Sequence, residues 1–163
     1  MARFPESKLG KRHRFRNMWQ HPYGRRASRS RRFKRFCWKH GYVSPNFTRQ
    51  EWASKDGTPV PESLRKNAQR QAFLCERLRH QLGDKPLGAL SYYRSPAHNA
   101  AVGGASASRH MSADACDWSV ETVNRFGRDR FEAAIQKIWA NHGIGHYPSG
   151  SAHTDARNYR ARW

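Results

Sequence analysis

The sequence is poor in acidic residues, in cysteine and in long apolar runs, and each shortage excludes something. Only 12 Asp and Glu stand against 31 Lys and Arg in 163 residues, a formal charge of +19. An acidic, self-solvating chain is excluded, and polyanions such as nucleic acid, anionic lipid or anionic cell-envelope polymers become the expected partners. Three cysteines, Cys37, Cys75 and Cys116, are too few and too scattered for a disulfide scaffold or a C-x-x-C metal knuckle. No apolar run approaches the roughly 18 to 20 residues of a membrane span, and nothing near Met1 reads as a signal peptide. The expectation is a protein made in the cytoplasm, with no transmembrane segment. What is present, 37% hydrophobic residues and 12 glycines, is enough for one core.

The charge is uneven. Residues 1–40 carry +13 and residues 41–163 carry +6, so the expected organisation is a basic N-terminal segment, 1–40, followed by a body, 41–163. Phe4, Phe15, Trp19, Tyr23, Phe33, Phe36 and Trp38 are interleaved with the basic run. Phe33, Phe36, Cys37 and His40 fall at i, i+3, i+4 and i+7, a short amphipathic helix suited to an anionic membrane surface or to a groove on the body. A solvated tail is the alternative.

In the body, Leu64, Ala68, Ala72, Cys75, Leu78 and Leu82 form a helical stripe over residues 61–82, with Pro61 suited to the first turn and Gly83 to the C-terminal cap. Residues 85–94 change period, with Leu90, Tyr92 and Arg94 on one side of a strand that ends in arginine. A second strand is expected over 114–120 and a second helix over 128–142, with Phe131, Ile135, Ile138 and His142 in line. His142 suits a C-terminal cap. Short strands are expected at 144–147 and 152–157. The fold class is therefore α+β, a small sheet with flanking helices.

His110 and Asp117 lie seven residues apart, and His153 follows 36 residues later. Two imidazoles and a carboxylate are a donor set suited to zinc, with a fourth position left for water. Spacing alone is weak evidence in a chain with nine histidines.

The surrounding residues sharpen it. Ser108-x-His110-x-x-Ala113-x-Ala115-x-Asp117 resembles the S-x-H-x-x-G-x-A-x-D signature of the zinc D-Ala-D-Ala peptidases, which include DD-carboxypeptidases and phage L-Ala-D-Glu endolysins. Tyr93-Arg94-Ser95-Pro96, His98-Asn99 and Val102-Gly103-Gly104-Ala105 are similar to a second segment of that family. Gly143-Ile144-Gly145-His146-Tyr147-Pro148 with His153-Thr154-Asp155 is similar to its ending, and Asn46-Phe47-Thr48 with Glu51-Trp52 and Asp56-Gly57 to its entry segment. The resemblance implies a Hedgehog/DD-peptidase-like fold, an antiparallel sheet backed by helices. It also implies zinc on His110, Asp117 and His153, and hydrolysis of amide bonds in peptidoglycan stem peptides or cross-links, with Arg94 stabilising the oxyanion. Ser108 is then a group behind the ligand, and His98 and His146 are substrate-side, structural or catalytic.

Two positions depart from the family pattern. Its signature glycine is Ala113 here, and the acid that many relatives carry three residues before the last histidine is Gly150. Asp155 is the nearest substitute base, since residues i and i+2 of a strand face the same way; orienting His153 is its other role. Cys116 alternates to the opposite face as a buried thiol. The function expected is a zinc peptidase acting at the bacterial wall, endolysin-like, with residues 1–40 delivering it to an anionic envelope. A non-catalytic member of the fold, serving as a virion or envelope-binding component, is the alternative, supported by Gly150. Nucleic-acid binding would explain the charge but not the zinc constellation.

Overall fold

The computed structural model describes residues 31–163. The part of the basic segment with Phe4, Phe15, Trp19 and Tyr23 lies outside the described residues.

The segment nearest the boundary belongs to the body. Helix α1 (Arg31–Lys39) buries Phe33, Cys37 and Trp38 and leaves Arg31, Arg32, Arg35 and Lys39 in solvent. Trp38 Nε1 donates to Glu62 at 2.6 Å, the Arg49 guanidinium lies 4.4 Å over the Trp38 ring, and Gln69 Nε2 donates to the Lys34 carbonyl at 2.7 Å. The apolar face of this basic helix is spent on the body, so Phe33, Cys37 and Trp38 are buried ahead of the expected division at residue 41. Strands β1 (Tyr42–Ser44) and β2 (Phe47–Thr48) follow as an antiparallel hairpin. Buried Glu76 ties it down, accepting from Ser44 Oγ at 2.9 Å, Asn46 N at 2.7 Å and Asn46 Nδ2 at 2.9 Å. A buried carboxylate needs such partners. Helix α2 (Arg49–Trp52) starts with a capping box, Thr48 Oγ1 accepting from Glu51 N and Glu51 accepting from Thr48 N.

Helix α3 (Arg65–Gln81) follows a 3-10 turn at Glu62–Leu64. Its expected stripe is buried at Ala68, Ala72, Cys75 and Leu78, with Leu82 just beyond. Gly83, at φ 87, closes it as expected, and Asp84 N reaches back to the Arg79 carbonyl at 2.9 Å.

The main sheet has the order β3-β4-β6-β5-β7, formed by β3 (Ala89–Ser91), β4 (Ala115–Trp118), β5 (Gly143–His146), β6 (Ala152–Asp155) and β7 (Ala161–Arg162). All pairings are antiparallel except β5 with β7, which is parallel. The α+β class and the small antiparallel sheet stand. Between β3 and β4 run α4 (Pro96–Ala101) and a 3-10 turn at Arg109–Ser112; between β4 and β5 run α5 (Val120–Arg125) and α6 (Arg128–Ile138).

Some boundaries differ from expectation. The register irregularity between Ala89 and Ser91 ends β3 early and breaks its alternation, so Leu90 is 46% exposed while Tyr92 is buried. Helix α6 stops at Ile138, and His142 is no cap: its Nδ1 lies 2.5 Å from the Arg157 carbonyl, holding the segment after β6.

One face of the sheet packs on α3 and α6. Cys116, Trp118, Ile144 and Thr154 are fully buried there. Buried Gln71 stitches the layer, donating to the Thr154 carbonyl at 3.0 Å and accepting from Trp139 Nε1 at 3.2 Å. Trp118 meets Phe131 edge-on, with ring centroids 5.9 Å apart. The opposite face carries the site.

Candidate metal centre

Antiparallel register creates the centre. Asp117 of β4 is directly opposite His153 of β6, and His110 reaches them from the 3-10 turn before β4. Ligand atoms of His110, Asp117 and His153 all lie within 4.8 Å of one another. Asp117 Oδ1 is 2.8 Å from His153 Nδ1, and Asp117 Oδ2 is 3.1 Å from His110 Nε2. The side chains are 4%, 13% and 5% exposed for His110, Asp117 and His153.

The backbone and its neighbours fix which nitrogens face inward. His110 Nδ1 lies 2.6 Å from the Tyr92 carbonyl, which can only accept, so Nδ1 carries the proton and Nε2 presents a lone pair. That Nε2 is buried without a hydrogen-bond partner, since its approach to Asp117 lacks hydrogen-bond geometry. An orphaned lone pair facing a carboxylate oxygen calls for a cation between them. Tyr92 is itself held by stacking on Trp52, with centroids 4.0 Å apart and planes 18° apart, which gives the entry segment its purpose.

His153 is fixed from behind. Its Nε2 lies 3.2 Å from Asp155 Oδ2, and Asp155, fully buried, is gripped by Arg157 through Nε to Oδ1 at 2.7 Å and Nη2 to Oδ2 at 2.6 Å, with Arg157 N to Oδ1 at 3.0 Å. Nε2 then donates, leaving Nδ1 for the centre, the carboxylate–histidine arrangement that orients metal-binding imidazoles. Burial pushes the Asp155 carboxyl up, but hydrogen bonds from His153 and Arg157 outweigh it and hold it well below the carboxylate range. Such a group is a weak base with its oxygens committed. The geometry favours the orienting role of Asp155 over the proton-moving one. Asp117 is likewise pushed up by burial and pulled further down by the two histidines. His153 is lowered by burial but raised overall by Asp117 and Asp155.

Arg94 lies three residues beyond β3, its backbone N on the His110 carbonyl at 3.1 Å. Its guanidinium donates to Asp117 Oδ2 at 3.2 Å and to Asn99 Oδ1 at 3.4 Å. Asn99 in turn donates to the Ala105 carbonyl at 3.0 Å, and Gly104 has no room for a Cβ against the Asn99 amide. Ser95 caps α4, accepting from His98 N at 3.0 Å and donating to Asp56.

Three of the expected site residues are not brought to the trio by any hydrogen bond. Ser108 occupies the N-cap of the 3-10 turn without a side-chain capping bond, and the group behind His110 is the Tyr92 carbonyl instead. His98 is half-buried on α4. His146 faces the other way along β5, its Nδ1 3.5 Å from Glu132.

The glycines of Gly143-Ile144-Gly145 are explained by crowding. A Cβ on Gly143 would lie 2.6 Å from the Asp155 carboxyl carbon, and one on Gly145 would lie 2.5 Å from the Trp163 indole nitrogen. Gly150, at φ 85, closes the turn from Tyr147, its N on the Tyr147 carbonyl at 2.8 Å, with a Cβ site 2.8 Å from Arg128. Tyr147 continues the alternation of Gly143 and Gly145. Its hydroxyl is pushed up by burial and by the charge of Asp117, and pulled down by Arg94.

Residues 38–154 match the Peptidase M15 family. The chain belongs to this peptidase family. A zinc D-Ala-D-Ala carboxypeptidase from Streptomyces albus G is 31% identical to this M15 chain over 118 residues, covering 69% of the chain and 43% of that protein. The chain thus spans less than half the length of that relative. In this family member the matched region includes all three ligand candidates, Arg94 and the buried part of α1 at Trp38, and it stops just short of Asp155.

Proposed function

We propose that the chain is a zinc-dependent peptidase that hydrolyses amide bonds in the stem peptides or cross-links of peptidoglycan, acting at the bacterial cell wall in an endolysin-like role. The observation that carries the reading is the orphaned His110 Nε2 aimed at Asp117, with His153 Nδ1 turned to the same point. His110, Asp117 and His153 would hold the metal. A zinc ion there supplies a Lewis acid and lowers the pKa of a bound water toward about 7.

The remaining work falls to the chain's own groups. Arg94, steadied by Asn99, offers a cation to the carbonyl oxygen that gains charge when the amide is attacked. The Tyr92 carbonyl and the Asp155–Arg157 pair keep both imidazoles in the tautomers that ligation needs. The basic N-terminal region supplies attraction to anionic envelope polymers.

Gly150 supports a second reading, a metal-holding member of the fold without turnover, because the acid found there in many relatives is absent. Mass analysis of purified peptidoglycan incubated with the zinc-loaded protein separates the two. Cleaved stems or cross-links that vanish on chelation are expected; intact wall with zinc bound would instead favour the non-catalytic reading.

A further inference from the structure

Beside Tyr147, the metal face carries a second large aromatic, one seated directly against His153, that hydrolysis leaves without a task. Trp163 is 51% exposed, yet it is well seated. Its ring centroid is 5.3 Å from that of His153, and the Arg157 guanidinium sits 4.9 Å from it. The backbone is fixed on β5, with His146 N donating to the Trp163 carbonyl at 2.9 Å and Trp163 N to the Ile144 carbonyl at 3.3 Å. Gly145 clears the space on which the ring lies. Holding His153 does not require it, because Asp155 and Arg157 already do so from the buried side. An indole is ordinarily stabilised by burying both faces. Here about half of the residue stays in water beside a candidate metal ligand, with Arg157 over the ring and Gly145 against it.

We propose that the Trp163 indole is a substrate platform, its exposed part packing against the small apolar residue that flanks the scissile bond of a stem peptide. The inference rests on the peptidase reading above. A peptide that enters the centre on the His153 side meets this ring, 5.3 Å from the imidazole. A flat apolar face complements an alanine methyl and its Cα hydrogens, and contacts there hold the amide in position for attack.

The test uses the zinc-loaded full chain with Trp163→Ala, Gly145→Ala, which displaces the ring without removing it, and Trp163→Phe. Two probes are compared, a D-Ala-terminated stem pentapeptide and the same peptide on its muramyl sugar. For Trp163→Ala and Gly145→Ala, KM is expected to rise about tenfold on both probes, with kcat within about twofold. Zinc affinity should be unchanged, and Trp163→Phe should recover most of the loss. Unchanged KM in Trp163→Ala overturns the platform. So does a loss confined to the sugar-bearing probe, or a loss of zinc affinity and kcat with KM intact. If the wild type cleaves neither probe, the peptidase reading fails by itself. Calorimetric binding of the pentapeptide then decides the platform, by the presence or absence of the same tenfold difference.

Discussion

Strands β4 and β6 present two opposite chemistries from one ladder. On one side, Cys116, Trp118 and Thr154 are sealed against α3 and α6; on the other, Asp117, His153 and Asp155 face the centre, with His110 delivered to them. Period-two alternation produces both sides at once. The sealed face gains from apolar burial, and its few polar atoms are satisfied within the protein, as Gln71 shows. The metal face holds charge that burial disfavours, and its histidines and carboxylates offset one another. Stability and chemistry are thus assigned to opposite sides of the same eight residues, and substitutions should separate them.

The largest effect belongs to the metal face. His110→Ala should lose zinc and bring hydrolysis of peptidoglycan to background, with the fold retained by circular dichroism. A variant that cleaves at the wild-type rate breaks the comparison. Next, Trp118→Ala on the sealed face should destabilise by about 3–5 kcal/mol, read by denaturant unfolding, while the protein that remains folded still binds zinc. Asp155→Asn comes third. As an orienting group it should weaken zinc binding about 10- to 100-fold, and excess zinc should restore turnover. Full zinc occupancy with turnover lost would return Asp155 to the role of base.

The smallest effect is on pH. The raised His153 pKa means that protonated His153 stabilises the metal-free fold fully below its unfolded value of about 6.5, and that this contribution fades as pH rises through the folded value. The proton competes with zinc at the same ring, so zinc binding strengthens over that same rise. Thermal midpoints of chelated and zinc-loaded protein, measured between about pH 5 and 9, should therefore diverge as pH increases. A constant gap would contradict the pairing of His153 with its two carboxylates.

Much of the metal face was legible because it is written in side chains. The trio of His110, Asp117 and His153 was named from motifs resembling the family's, and the i, i+2 relation of His153 to Asp155 from strand geometry, whereas the register that sets Asp117 opposite His153 was not read from the sequence. The stripe of α3 was legible for the same reason of period. What acts through the backbone left no such trace. The Tyr92 carbonyl that sets the His110 tautomer carries no signal of its own, whereas Ser108, which does, makes no such contact. Arg157 repeats the i+2 step once more and was discoverable by it. Ala113 shows the limit of reading a motif by residue size. It sits at φ 57, a left-handed conformation that glycine adopts freely, which accounts for the glycine of the family signature. For helix α1 the sequence left a membrane surface and a groove on the body open, because charge sets attraction to partners, not where a helix packs; the burial of Phe33, Cys37 and Trp38 selects the body.

The most direct test of the account is anomalous diffraction at the zinc edge from crystals of the zinc-loaded protein. One peak is predicted, bounded by His110 Nε2, the Asp117 carboxylate and His153 Nδ1, and absent in His110→Ala. No peak at that point, or a peak on other residues with the trio still paired to itself, would contradict it.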